Sequence, residues 1–123
     1  MDCLFCKIIE GDIPSKTIYE DEYVKVFMDI NPESNGHCLV IPKAHIVDFE
    51  EMDDNTLKYV NLASKKVKKH LFDALNPDGL VLEVNYGITQ EIKHYHLHLI
   101  PAYKDKQEIR DINEVYEDIM KAI

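Results

Sequence analysis

The sequence predicts an α+β domain built on an antiparallel sheet, and three observations predict it. Two groups of segments rich in β-branched and aromatic residues, one near positions 17–41 and one near 80–100, follow each other through short turns. One long stretch between them repeats its apolar residues every three or four positions. Helical segments therefore stand apart from the strands instead of alternating with them, the arrangement of α+β rather than parallel α/β folds.

Each element has its own local reason. Phe5, Ile8 and Ile9 have the spacing of a short N-terminal helix, which Gly11 can cap and Pro14 prevents from continuing. Thr17–Glu20 and Tyr23–Asp29, separated by Asp21 and Glu22, read as a hairpin. Asn31-Pro32-Glu33-Ser34-Asn35-Gly36 is a loop by composition, and His37–Ile41 is a strand ended by Pro42. From Asp54 to Leu75 the apolar residues Leu57, Val60, Ala63, Val67, Leu71 and Leu75 mark one amphipathic helix, with Asp53 or Asp54 available to cap it. Lys65, Lys66, Lys68 and Lys69 read as its solvated face, and His70 as a surface residue. Asn76-Pro77-Asp78-Gly79 is a turn. Leu80–Tyr86 and Lys93–Ile100 are strands on either side of Gly87. Ile109, Ile112, Tyr116 and Ile119 predict a C-terminal helix within 107–121.

With 123 residues, the natural expectation is one domain spanning 1–123. Its 14 basic against 23 acidic residues, a net charge of −9, argue against a nucleic acid polymer as partner. No apolar run has the length of a membrane span, and Asp2 and Cys3 stand where a secretion signal would be basic. A cytoplasmic protein is the expectation. Three cysteines cannot all pair within one chain. Cys38 lies in an apolar run and reads as core, whereas Cys3-x-x-Cys6 points to metal or redox chemistry, the rival being a thioredoxin-like pair.

The segment His94-Tyr95-His96-Leu97-His98-Leu99-Ile100 carries half of the six histidines. Along a strand the side chains alternate, so the three imidazoles share one face about 7 Å apart while Tyr95, Leu97 and Leu99 turn to the core. Neighbouring imidazoles near neutrality can divide the roles of nucleophile, tautomer holder and proton donor. His-x-His is equally a metal-ligand spacing.

This segment resembles the histidine triad (HIT) superfamily of nucleotide hydrolases and transferases, whose pattern is His-φ-His-φ-His-φ-φ with φ apolar. The resemblance spans about residues 2–101 and includes Phe5 with Lys7-Ile8-Ile9, Ile13-Pro14, Phe27–Ile30, Gly36-His37, Val40-Ile41-Pro42-Lys43 with His45, Asn85, Gly87, Gln90 and Ile100-Pro101. It implies a HIT-like fold: a sheet of about five antiparallel strands, one long helix, a short N-terminal helix and a C-terminal helical segment at 107–121.

The resemblance also implies chemistry. His96 would be the nucleophile on the α-phosphorus of a nucleoside 5'-monophosphate derivative, with His94, His98 and His37 completing the catalytic set. Asp29, Asn85, Gln90, Phe5, Ile8, Ile13, Phe27 and Ile30 would bind the nucleotide. For the apolar five, ordinary core packing is the competing reading, and for Asp29 a turn. A bacterial branch of the family completes Cys3 and Cys6 with His45 and His94 as a structural Zn²⁺ site; no metal is obligatory for catalysis. A purine nucleoside monophosphate or its derivative is the implied partner, and a homodimer the implied assembly. The chain departs from the family in a shorter 85–94 loop, Thr89 for glycine, Glu91 where serine or threonine is common, and Ala102 where arginine is frequent. A non-catalytic nucleotide-binding module and a zinc protein whose histidines are all ligands remain the alternatives.

Overall fold

In a computed structural model, residues 3–123 are described; Asp2, where the family likeness starts, lies outside them. Among these residues three α-helices, α1 (Leu4–Glu10), α2 (Asp54–Leu75) and α3 (Ile112–Lys121), accompany five strands, β1 (Thr17–Glu20), β2 (Val24–Met28), β3 (Cys38–Pro42), β4 (Gly79–Val84) and β5 (Leu97–Ala102). The strands form one antiparallel sheet in the order β1-β2-β3-β5-β4.

The period-two alternation of the strands divides the molecule. Val24, Val26, Met28, Cys38, Val40, Leu97 and Leu99 pack with Val60, Ala63, Val67 and Leu71 of α2, and with Val115 and Ile119 of α3. Phe27, Leu39 and Ile41 point to the other face, where they meet Phe5 and Ile8 of α1. Tyr95 and Leu97 join the α2 side, so His94, His96 and His98 fall on the α1 side. Both faces are apolar in their centres, and each fully buried aliphatic side chain contributes about 2 kcal/mol.

Local chemistry fixes the ends of the elements. The Cys3 sulfur accepts from the Cys6 amide at the N-cap of α1, and Gly11, with φ 87°, caps its other end. Asp53 occupies the N-cap of α2, and Asn76 closes its C-terminus in the left-handed region. Gly36 has φ 95° and a Cβ there would lie 2.6 Å from Leu75 Cδ1, so the loop before His37 can cross the end of α2 only with glycine.

The predicted strand Lys93–Ile100 is corrected at its start. β5 begins at Leu97, because its partner strand ends in Pro42, which has no N–H for the ladder. The Tyr95 amide bonds instead to the Ile46 carbonyl at 2.7 Å. The segment 107–121 is likewise helical only from Ile112. Asn35 bonds to the Glu108 carbonyl and the Arg110 amide, and Asp111 caps α3 by accepting from the Asn113 and Glu114 amides. No helix among the described residues is long and apolar enough to cross a membrane.

Candidate active site and metal cluster

Two sites flank α1 on the histidine face. The first is a cavity of about 820 Å³. Phe5, Ile8, Ile13, Phe27 and Ile30 line it together with Asp29, Asn85, His37, His96 and His98. Ten of the expected residues thus converge there, Ile30 at the rim with 82% of its surface exposed. His94 and Gln90 do not line it. The Gln90 amide donates to the Val47 carbonyl, and His94 is wholly buried.

Hydrogen bonds assign the imidazole protons. His96 Nδ1 lies 2.8 Å from the His94 carbonyl, and a carbonyl can only accept, so Nδ1 carries the proton. His96 Nε2 is left with a lone pair on the cavity side. At the neighbouring ring the result is opposite. The Glu33 amide donates to His37 Nδ1 at 3.0 Å, so the neutral His37 ring carries its proton on Nε2. That N–H reaches His98 Nδ1 at 2.9 Å, with Asp29 Oδ2 at 3.4 Å on the same atom. His98 Nδ1 therefore accepts, and His98 Nε2 is a donor.

The rings of His96 and His98 have centroids 5.1 Å apart, closer than ideal strand spacing because His96 precedes the regular strand. The edge-on Phe5 ring is 5.1 Å from His96 and holds it from one side. Burial pushes His96, His98 and His37 below the ordinary histidine range, against the nearby carboxylates that pull the other way. The neutral forms required above are thereby favoured at neutral pH. Asp29 also makes the turn that its sequence position suggested, accepting from the Asn31 amide at 2.8 Å. Asn85 donates to Glu83 at 3.3 Å.

The second site gathers Cys3, Cys6, His45 and His94, whose donor atoms all lie within 4.8 Å of one another. Cys3 Sγ and Cys6 Sγ are 3.4 and 3.6 Å from His94 Nδ1, and Cys6 Sγ is 3.3 Å from His45 Nδ1. Tetrahedral zinc with bonds of about 2.3 Å to sulfur and about 2.0 Å to nitrogen would set such donors about 3.5 Å apart. The donor set fits. His94 Nε2 donates to the Pro42 carbonyl at 2.8 Å, which leaves Nδ1 bare toward the sulfurs, the outer-shell arrangement that orients a metal-binding imidazole. These four residues are positioned to hold a metal ion.

Sequence reasoning missed Glu83, Glu33 and Lys16 as cavity residues. Glu83 pairs across the sheet with His98, and its place as the acid in an otherwise apolar strand was an available signal. Nothing local marks the Glu33 amide as the group that sets the His37 tautomer.

Residues 10–105 match the HIT domain family model. An uncharacterized HIT-like protein of Methanocaldococcus jannaschii is 41% identical, the alignment covering 98% of this chain and 98% of the relative. An adenosine 5'-monophosphoramidase of Schizosaccharomyces pombe is 40% identical over 82% of this chain and 74% of its own length. A solved zinc-bound histidine triad family protein of Mycobacterium smegmatis superposes with a TM-score of 0.90 at 34% identity, covering 99% of this chain and 93% of that one. The sheet, the histidine strand and these likenesses agree: the chain belongs to the HIT domain family.

Proposed function

We propose that this protein is a nucleotide hydrolase or transferase that cleaves nucleoside 5'-monophosphate derivatives at the α-phosphorus through a nucleotidyl-histidine on His96. The observation that carries the reading is the opposite protonation of adjacent rings, with a bare His96 Nε2 beside a His98 Nε2–H donor. A yeast relative named as an adenosine 5'-monophosphoramidase supports phosphoramidates as the substrate class.

In the first step the His96 Nε2 lone pair forms a bond to phosphorus as the bond from phosphorus to the leaving amine breaks. The amine departs with that electron pair and takes a proton from water at the cavity mouth. The resulting imidazolium keeps its Nδ1–H on the His94 carbonyl, and the His98 donor stabilises charge on a phosphoryl oxygen. In the second step water attacks phosphorus and gives a proton to the hydroxide left by the first step, His96 leaves as neutral imidazole, and the nucleoside monophosphate is released. The base lies among Phe5, Ile8, Ile13, Phe27 and Ile30, and Asp29 accepts from the ribose hydroxyls. Asn85 acts at the phosphate. Gln90 acts through the backbone: by tying its segment to Val47 it fixes the wall that carries Glu91.

Zinc held by Cys3, Cys6, His45 and His94 would serve as a cross-link between α1 and the histidine strand, with no part in bond making. A homodimer and a cytoplasmic location complete the reading. β4 is an outer strand with Val81, Leu82 and Val84 exposed, an edge that a second copy can cover. Sedimentation at twice the 14.3 kDa chain mass is the expected result, and a monomer would contradict it.

Incubation with adenosine 5'-phosphoramidate tests the activity. Release of AMP is expected, with a fall of about a thousandfold or more in His96→Ala, as loss of a nucleophile closes the covalent route. Equal rates in the two proteins would contradict the mechanism.

A further inference from the structure

The cavity is lined by two chemically different groups of residues. Phe5, Ile8, Ile13 and Phe27 form an apolar wall, and β4 and the segment after it contribute Glu83 and Glu91. The histidines adjoin both groups: His96 touches the Phe5 ring, and His98 lies across the sheet from Glu83.

The charges around this space do not suit an anionic phosphate alone. Among the described residues four carboxylates, Asp29, Glu33, Glu83 and Glu91, line the cavity against one cation, Lys16. Asp29 is engaged by the Asn31 amide and His37. Neither Glu83 nor Glu91 forms an ion pair with lysine or arginine among the described residues. The nearby Lys93 turns its ammonium to the Gly87 and Gln90 carbonyls instead. Asn85 donates to Glu83 and so holds a carboxylate, not a cation, at the mouth. Independently of these acids, the buried His96 ring, 8% exposed, lines the same space with an Nε2 that has no hydrogen-bond partner among the described residues, so a phosphoryl group can approach it.

We propose that Glu83 and Glu91 select nucleotidyl amines whose leaving group carries a second, cationic amine. The proposal rests on the phosphoramidase reading above and names the substrate class within it. The reacting nitrogen is the neutral phosphoramidate nitrogen; the selecting charge is an ammonium a few bonds beyond it, placed between the two carboxylates as the base packs on the apolar wall. A cationic leaving group offsets the repulsion between the phosphate and the acidic mouth, and an anionic one adds to it.

Three adenosine 5'-phosphoramidates test it, made from 1,3-diaminopropane, n-butylamine and β-alanine, with no divalent cation added. They share a similar length and differ in charge. The diamine derivative should exceed the butylamine derivative in kcat/KM by about tenfold, and that one should exceed the β-alanine derivative by about as much, the attraction or repulsion of charges near a protein surface. In Glu83→Gln/Glu91→Gln the diamine preference should shrink to about twofold. In the unaltered protein it should also shrink from about 0.05 to about 0.5 M salt, a readout independent of how the variant folds. Equal turnover of all three, or a preference that survives both the double substitution and salt, overturns the charge assignment and leaves the phosphoramidase reading intact. Cleavage of none of the three, with no adduct on His96, overturns both.

Discussion

His94 and His96 are two residues apart in the segment that leads into β5 and lie on the same side of the sheet, yet the fold uses opposite nitrogens of the two rings. His94 gives its Nε2 proton to the Pro42 carbonyl and turns Nδ1 to Cys3 and Cys6. His96 gives its Nδ1 proton to the His94 carbonyl and turns Nε2 to the cavity. Residue type and side of the sheet are the same; the difference is which nitrogen a backbone carbonyl reaches. A carbonyl acceptor selects the tautomer, and the tautomer decides whether an imidazole presents its lone pair to the cysteine sulfurs or to the cavity. The two sites are also joined, since the carbonyl that orients His96 belongs to the residue whose side chain faces the cysteines.

The strongest way to break this comparison is to delete one ring at a time. His96→Ala should lose about a thousandfold or more in phosphoramidase rate while binding as much zinc as the parent. Zinc loss in that variant would show that the two histidines do not have separate roles.

Next in size is the cluster itself. Cys3→Ser/Cys6→Ser should lose zinc and, at free zinc a thousandfold above Kd, about 4 kcal/mol of stability. At about 4 °C per kcal/mol the melting temperature should drop by about 15 °C. The rate below that temperature should fall far less than in His96→Ala. Unchanged melting on zinc addition to the parent protein would remove the cross-link from the account.

The smallest expected effect comes from pH. Burial lowers His37, His96 and His98 below 6.5. The unfolded chain, with ordinary histidines, therefore binds more protons than the native one as the pH falls below about 6.5. Stability should be complete above that pH and decline below it, and the acid limb of the rate should lie below 6.5 rather than at it. Denaturant melts across pH 5 to 8, a range set by ordinary histidine titration at about 6.5, check the sign. Greater stability at the acid end would contradict the neutral rings.

Much of this was legible in the residues. The three-or-four spacing from Leu57 to Leu75 located α2 because one helix face packs on β1, β2, β3 and β5. Alternation placed Leu97 and Leu99 on the core side and His98 opposite, since a strand has no other option, and Tyr95 keeps to the core side just before β5 begins. The cluster of Cys3, Cys6, His45 and His94 was legible only through family resemblance, because His45 is brought to the cysteines by tertiary structure. Gln90 could not be read: its amide is captured by Val47, far away in sequence. Ile109 suggested an earlier start to α3, whereas Asp111, three residues before Glu114, has the capping spacing that marks the true beginning. The family resemblance implied that His96 donates to the His94 carbonyl, as it does, whereas the tautomers of His37 and His94 were out of reach, since they depend on the Glu33 amide and the Pro42 carbonyl.

Long-range proton–nitrogen NMR correlations of the histidine rings at pH 8, in protein labelled with nitrogen-15, test the central claim most directly. They should show His96 protonated on Nδ1 and His98 on Nε2 in the same molecule. His96 protonated on Nε2, with its bare nitrogen turned to the backbone, would contradict the account.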